Sequence, residues 1–536
     1  MADIVLINPR FETSYWGLEH ALALLGGKAF LPTASLPLLG ALTPPSDRVT
    51  LIDENIEPID FDRCARADIV GLTGMFVQRP RMREILAELK RRGVFTVVGG
   101  PWITVREDDF AGLVDAIFVG EAEETWPRFL ADWAEGHPQA RYEQAERTDL
   151  SRVPAPRLDL LRIGDYRFGS VQITRGCPFT CEFCDIIVVF GRRPRIKTAA
   201  QVLAELDALL ALGKRSIFIV DDNLIGNKKA LKPVLQEVIA WQQRHGYPMS
   251  FGTEASIDVA EDDELMRMMV DANITDVFVG IETPNEAALL ETRKIQNLSD
   301  RSGTMLEKVH RIQDAGMEVW SGMIVGFDSD DSGVFELQRR FIQDAHIVNT
   351  MVNMLVAIPK TPLFARLERD GRLDHSEEAF RRGTNVIPHQ MSPQQLQAGR
   401  SLLMRDLYDP AAYFERLDTL YLDRGLRPGR ARSRYLRRYP LRWLLANARS
   451  LAEAVAIIRQ LMRRIPDAGL RRQYRHRLWR AARVARDPAV LQIYALKCAL
   501  HFHAYRLAEQ MLAAREVTDP AAAHAIEPAV PAAAFG

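Results

Sequence analysis

Short apolar runs separated by amphipathic stretches dominate the first 140 residues. Ile4–Ile7, Val49–Ile52, Ile69–Leu72, Thr96–Val98 and Ile117–Val119 read as strands buried on both faces. A helix-like stretch, Met82–Arg91, follows one of them. The alternation predicts an α/β, doubly wound, Rossmann-like domain over residues 1–140, with a ligand crevice at the C-terminal strand ends. Asn8-Pro9-Arg10, Asp53-Glu54-Asn55, Thr73-Gly74-Met75, Gly99-Gly100-Pro101 and Gly120-Glu121 would line it.

A polar, proline-containing stretch over residues 141–167 reads as a linker. A second βα series is expected over residues 168–390. Its candidate strands are Val171–Thr174, Ser216–Val220, Ser250–Thr253, Asp276–Val279, Glu318–Ile324 and Val352–Ala357, with helical patterns such as Ala200–Leu212 and Leu231–Arg244 between them. Six such units predict a partial TIM-like (β/α)6 barrel whose chemistry lies at the strand C-termini. Residues 391–516 read as helices, and the Ala/Pro-rich tail 517–536 as disordered.

Of the 536 residues 47% are hydrophobic and 26% charged, a soluble globular composition. No apolar run approaches the roughly 20 residues that span a bilayer. The start lacks the basic segment of a signal peptide, so a cytoplasmic location is expected. The net charge of −1 hides an asymmetry, because residues 401–500 hold 22 Lys/Arg against 8 Asp/Glu. Arg437, Arg438, Arg442 and Trp443, with the cluster 471–480, suit anionic lipid headgroups and hence a peripheral membrane contact. They equally suit a helical cap whose arginines pair with the acidic domains, the reading we favour. No nucleic-acid partner is expected, since no RNA-binding motif accompanies the charge.

Five cysteines are too few for a disulfide framework. Cys64 and Cys498 stand alone and read as small buried residues. Cys177, Cys181 and Cys184 form C-x₃-C-x₂-C directly after a predicted strand. Three thiolates on one loop can hold three irons of a [4Fe–4S] cubane and leave the fourth open to a chelate. The amino and carboxylate groups of S-adenosylmethionine (SAM) are such a chelate. Structural zinc and a ferredoxin-type cluster remain as alternatives, although each wants a fourth ligand that the neighbouring sequence lacks.

The motif, with Phe183 before the last cysteine, resembles that of the radical SAM superfamily. Gly99-Gly100-Pro101 and Val119-Gly120-Glu121-Ala122-Glu123-Glu124 are similar to segments that face the corrinoid in its cobalamin-binding members. Cys181 to Ile187, Gly191 to Arg195, Val220-Asp221-Asp222-Asn223, Leu18-Glu19-His20 and Ile52 to Ile56 resemble the subgroup with a helical C-terminal extension, which includes hopanoid C-2 methylases. The resemblance implies a [4Fe–4S] cluster on Cys177, Cys181 and Cys184, with SAM held near Phe183, Asp222, Asn223, Glu254 and Glu282. It implies cobalamin near Thr73, Gly74, Gly99, Gly100, Gly120 and Glu121. It implies a low-potential electron donor, a flavodoxin or ferredoxin, and a small-molecule or lipid substrate.

The D-x-H-x-x-G signature of histidine-ligated cobalamin is missing. The nearest approach, Asp344-Ala345-His346, reaches Asn349 instead of Gly. Any cobalamin should therefore bind without a histidine on cobalt. Glu254 and Glu282 end barrel strands, where a carboxylate can bind the amine or ribose hydroxyls of SAM or cap a helix. Gly326-Phe327-Asp328 and Pro359 to Pro362 should line the same mouth. Arg192, Arg193, Arg195 and Lys197 suit either a local negative charge or a solvated loop, and His20 reads as a satisfied surface residue. The leading function is cobalamin-dependent radical SAM C-methylation of an unactivated carbon, with a hopanoid-like lipid as the leading substrate. A cyclisation or oxidative rearrangement with the same cofactors is the alternative, and a corrinoid-responsive regulator a third.

Overall fold

The computed structural model describes residues 1–518; for Phe380 and residues 514–518 only the backbone is described. The tail expected to be disordered lies almost wholly outside these residues. The first sheet contains β1 (Asp3–Asn8), β2 (Arg48–Asp53), β3 (Ile69–Thr73), β4 (Thr96–Gly99), β5 (Ala116–Val119) and β6 (Arg141–Glu143). Its order is β2-β1-β3-β4-β5-β6, all parallel. The first five are the apolar runs of the sequence, for a strand covered on both faces has no polar face to reveal. β6 extends the sheet into the stretch read as linker. Only Tyr142 of its three residues is buried, so it carries no apolar run.

The second sheet has the order β14-β13-β12-β11-β10-β7, again all parallel. Its strands are β7 (Gly169–Val171), β10 (Ser216–Ile219), β11 (Ser250–Glu254), β12 (Ile274–Glu282), β13 (Glu318–Val325) and β14 (Thr350–Met354). β7 and β14 do not pair, which leaves an open, partial barrel. Helices Ala199–Ala211, Lys228–His245, Asp263–Asp271, Met305–Ala315 and Val334–Asp344 cross between the strands. Two short strands, β8 (Thr174–Arg175) and β9 (Arg195–Ile196), form an antiparallel ladder beside the barrel.

Val171–Thr174, expected as one strand, is broken. Asp221 accepts hydrogen bonds from the Ile173 and Thr174 amides at 2.7 and 2.8 Å, so a side chain replaces the ladder there. The N-terminal end of the barrel is plugged by the C-terminal helices. Glu318, the first residue of β13, is 1% exposed. It pairs with Lys497, accepts from Tyr421 Oη and accepts from Asn349 Nδ2 at 3.0 Å. Polar groups at that end of a barrel serve stability. The arginine pairing expected of the extension is present in part: Arg424 meets Asp314 of the barrel, while Arg477 and Arg480 meet Asp418 within the extension.

Candidate active site

β8 and β9 close the cysteine loop into a hairpin-like fold. Gly176 has φ +93°, and a Cβ there would stand 3.0 Å from the Gly191 carbonyl, so glycine is required for the turn. Cys177 N–H donates to the same carbonyl at 3.3 Å, and Cys184 N–H donates to Cys181 O at 3.2 Å. The three thiols thus sit at the C-terminal end of the barrel, with Cys181 buried and the other two partly so. Burial raises the Cys177 and Cys184 thiols above their ordinary range.

Hydrogen-bond donors converge on the sulfurs. Asn223 Nδ2 lies 3.7 Å from Cys177 Sγ, and Gln296 Nε2 lies 3.5 Å from Cys181 Sγ. Lys294 Nζ lies 5.9 Å from the centre of the Phe183 ring and donates to Glu282 Oε1 at 2.7 Å. Burial pulls the Lys294 ammonium down, but Glu282, and then Cys181, outweigh it and hold the group cationic. Donors and a cation around sulfur suit thiolates bound to a cluster better than neutral thiols. Among the described residues no three His, Cys, Asp or Glu side chains gather as ligands of a single ion. Three thiolates on three different irons need no such gathering. The donor set fits the cluster.

The acidic residues divide into two kinds. Asp221 and Asp222 position the loop: Asp221 ties down Ile173 and Thr174, and Asp222 accepts from Gly176 N–H at 2.8 Å. Asn223 is held by Ser256, whose N–H donates to its Oδ1 at 3.2 Å. Glu254 is different. Among the described residues no hydrogen bond or ion pair reaches its carboxylate. Burial, then Asp222, Asp221 and Glu282, raise it to about 8. Burial likewise raises Asp221 to about 7 and Asp222 to about 6. A buried anionic cluster of this kind favours a cation in its midst. Glu282 sits at φ +65° beside a register shift in β12, a bulge that re-aims its side chain toward Lys294. These placements fit SAM, whose sulfonium supplies the required charge.

The crevice of the first sheet faces this mouth. A Cβ on Gly100, φ +104°, would lie 2.6 Å from Thr73 Oγ1 and 3.1 Å from Gly74 N and O. The backbone there is packed against the end of β3, and Met75 and Val77 just beyond are 47% and 53% exposed. Gly120 N–H donates to Thr104 Oγ1 at 3.0 Å. An apolar shelf over close-packed glycine backbone fits a flat macrocycle. His346, in the turn after helix Val334–Asp344, sits beside His310 of helix Met305–Ala315, 5.5 Å between ring centres, and offers no ligand to this crevice. Glu121 is engaged elsewhere. It accepts from Arg195 at 2.6 and 2.8 Å and lies 3.2 Å from Arg175, which also meets Glu123 at 2.7 Å. Burial would raise Glu121, but Arg195 and Arg175 hold it down at about 2. Lys360 of the barrel donates to Thr104 O at 2.7 Å, fastening the other side.

Sequence reasoning missed Lys294 and Gln296, which arrive on the loop after helix Glu286–Glu291 without a motif. It also placed His20 at the surface. Its Nε2 is buried without a partner, and its ring packs 5.5 Å from that of His503. Of the basic run, Arg195 and Lys197 are paired, the latter with Glu205, and Arg192 and Arg193 are exposed. Phe327 reaches the site, its ring 6.1 Å from Phe183.

Residues 171–339 match the radical SAM superfamily, and residues 361–517 a domain of unknown function, DUF4070. The chain is 36% identical over 515 residues to an uncharacterised methyltransferase of Synechocystis sp., covering 94% of this chain and 91% of that one. It is 34% identical over 421 residues to the hopanoid C-2 methylase of Rhodopseudomonas palustris, covering 77% and 78%. This chain is a radical SAM enzyme of the group that contains the hopanoid C-2 methylase. The radical SAM barrel carries the cysteine loop at its mouth, and the DUF4070 match runs from helix Pro362–Arg369, whose Arg366 meets Glu182 of that loop, into the helices that plug the other end. Two solved structures share the architecture. One is the methyltransferase TsrM of Kitasatospora setae with cobalamin and a [4Fe-4S] cluster bound, at TM-score 0.54, 16% identity and coverage of 70% and 76%. The other is the cobalamin-dependent radical enzyme OxsB with aqua-cobalamin bound, at TM-score 0.59, 14% identity and coverage of 99% and 82%. Since the relatives are named methyltransferases, a cyclase or rearrangement is not favoured.

Proposed function

We propose that this radical SAM enzyme is a cobalamin-dependent C-methyltransferase that acts on an unactivated carbon of a hopanoid-like polycyclic lipid. The observation that carries the reading is the facing of two strand-end sites, the cysteine loop of the barrel and the glycine crevice of the first sheet, locked together at Glu121 and Arg195. When bound, the cluster supplies the electron that breaks a carbon–sulfur bond of SAM, and cobalamin carries the methyl group.

The chain's own residues hold, orient and shield. Cys177, Cys181 and Cys184 would each hold one iron; Asn223 and Gln296 aim donors at the sulfurs of Cys177 and Cys181, and Lys294 adds a cation beside them. Glu254, with Asp222 and Asp221 behind it, offers negative charge to the SAM sulfonium and an acceptor to its amine. Thr73, Gly74, Gly99, Gly100 and Gly120 form the shelf for the corrinoid, and Glu121 fixes the distance between the two sites instead of touching the macrocycle. The D-x-H-x-x-G signature is missing, so cobalamin would be held here without a histidine on cobalt.

The barrel's inner face supports an apolar substrate. Trp16, from the loop after β1, lies 4.9 Å from Phe278 and 6.4 Å from Phe218, centre to centre. Gly252 and Gly322 make room, since a Cβ on either would meet those rings at 3.2 and 3.0 Å. Phe278 pairs in register with Glu254, placing hydrocarbon-binding rings beside the SAM cluster of carboxylates. The low-potential donor is a flavodoxin or ferredoxin. A lipid substrate also gives the enzyme reason to work beside a membrane; among the described residues no helix is long and apolar enough to cross one. Comparing lipid extracts of a strain with and without the gene tests the substrate: a polycyclic lipid heavier by one methyl-for-hydrogen exchange should vanish with the gene. An unchanged lipid profile would reject a hopanoid-like substrate.

A further inference from the structure

Helix Pro440–Arg464 has two apolar faces, and only one is covered. Ala454, Ile457 and Leu461 are buried against the molecule. Leu441, Leu444, Leu445, Leu451 and Val455 follow the three- and four-residue spacing of a second stripe, 78%, 60%, 70%, 45% and 36% exposed. From first to last the stripe is about 21 Å long at 1.5 Å per residue. Soluble surfaces rarely leave a continuous apolar patch of this size uncovered, and one rimmed by polar groups marks a contact site.

The rim identifies the contact. From Arg424 to Ala452 the chain has nine arginines and no aspartate or glutamate. Among the described residues Arg437, Arg438 and Arg442 have no carboxylate partner, and the Arg442 guanidinium lies 5.2 Å over the Tyr439 ring. The first acid beyond, Glu453, is already paired with Arg449 at 3.1 Å and accepts from Gln492. Tyr439 and Trp443 are 44% and 43% exposed, amphipathic rings of the kind that settle at headgroup level.

We propose that this face, Tyr439 to Val455 with Arg437 and Arg438, docks the enzyme on an anionic lipid bilayer. The helix would lie in the interface plane, the leucine stripe in the acyl boundary and the guanidiniums among the phosphates. A second copy fits the surface badly, because a two-fold contact would set each arginine-rich rim against its own image. The inference rests on this helix and the arginines just before it, and holds whatever the substrate proves to be.

The test is co-sedimentation of the full chain with vesicles. Vesicles of phosphatidylcholine plus phosphatidylglycerol should carry the protein down at low salt. Pure phosphatidylcholine, or high salt, should release it, because the attraction is screened. Arg437→Gln and Arg438→Gln should each weaken binding roughly fivefold. Leu441→Ser, Leu444→Ser and Leu445→Ser together should abolish it while thermal melting stays unchanged, since all three side chains are exposed. No sedimentation with anionic vesicles, or equal sedimentation of the triple variant, would overturn the proposal. So would a dimer in size-exclusion chromatography that the triple variant dissociates.

Discussion

Arg195 grips Glu121 with both arms of its guanidinium, Nη2 to Oε1 at 2.6 Å and Nη1 to Oε2 at 2.8 Å. Glu121 lies just beyond β5 of the first sheet, and Arg195 belongs to the ladder that closes the cysteine loop. The pair therefore sets how the two cofactor-sized sites face each other. Glu121→Gln leaves the buried Arg195 without a carboxylate, while Arg175 keeps Glu123, and should cost about 3–5 kcal/mol. Thermal unfolding of wild type and variant measures it; a loss under about 1 kcal/mol would show that the pair does not hold the domains together.

The same pair makes stability depend on acid. Glu121 is held at about 2 in the folded chain, against an ordinary value of 4.5. A depressed carboxylate contributes stability that is present above the ordinary value and lost as pH falls toward the folded one. The melting temperature should therefore fall between pH 4.5 and about 2, and Glu121→Gln should flatten that part of the profile.

Glu254 should act in the opposite sense. Its carboxyl stands at about 8, so charging it between its ordinary 4.5 and 8 costs stability in the ligand-free chain. Glu254→Gln should raise melting at pH 8 by about 1–3 kcal/mol. It should also weaken SAM and reduce the pH dependence of SAM binding. Calorimetric titration at pH 6 and pH 8 checks this: wild type binds more tightly at the higher pH, and the variant keeps only the smaller difference that Asp221 and Asp222 supply.

Reconstituted protein should hold about four irons per chain. Alanine at Cys177, Cys181 and Cys184 together should remove them. Cys64→Ala and Cys498→Ala should keep them, since both thiols are buried in core packing and burial raises both. Iron analysis decides; full loading of the triple variant would reject the cluster site.

The cysteine loop was legible because three thiols at fixed spacing allow few chemistries. The parallel strands were legible because burial on both faces leaves continuous apolar runs, as in Ile4–Ile7. Where a strand depends on a distant partner the sequence is silent. β6 exists because Arg141–Glu143 lies against β5, and Val171–Thr174 breaks because Asp221, nearly fifty residues on, captures its amides. Gln296 reaches the Cys181 sulfur, and Lys294 comes to Glu282 and Phe183 beside it, through a loop whose path only the fold determines. Glu121 was legible as a strand-end residue, but its partner Arg195 was not.

Methyl transfer itself is tested most directly by the fate of SAM during turnover with the true substrate. Each methylation consumes one SAM as methyl donor and another as radical source, so S-adenosylhomocysteine and 5′-deoxyadenosine should form in about equal amounts. 5′-Deoxyadenosine without S-adenosylhomocysteine, at product yields above one per enzyme, would contradict it.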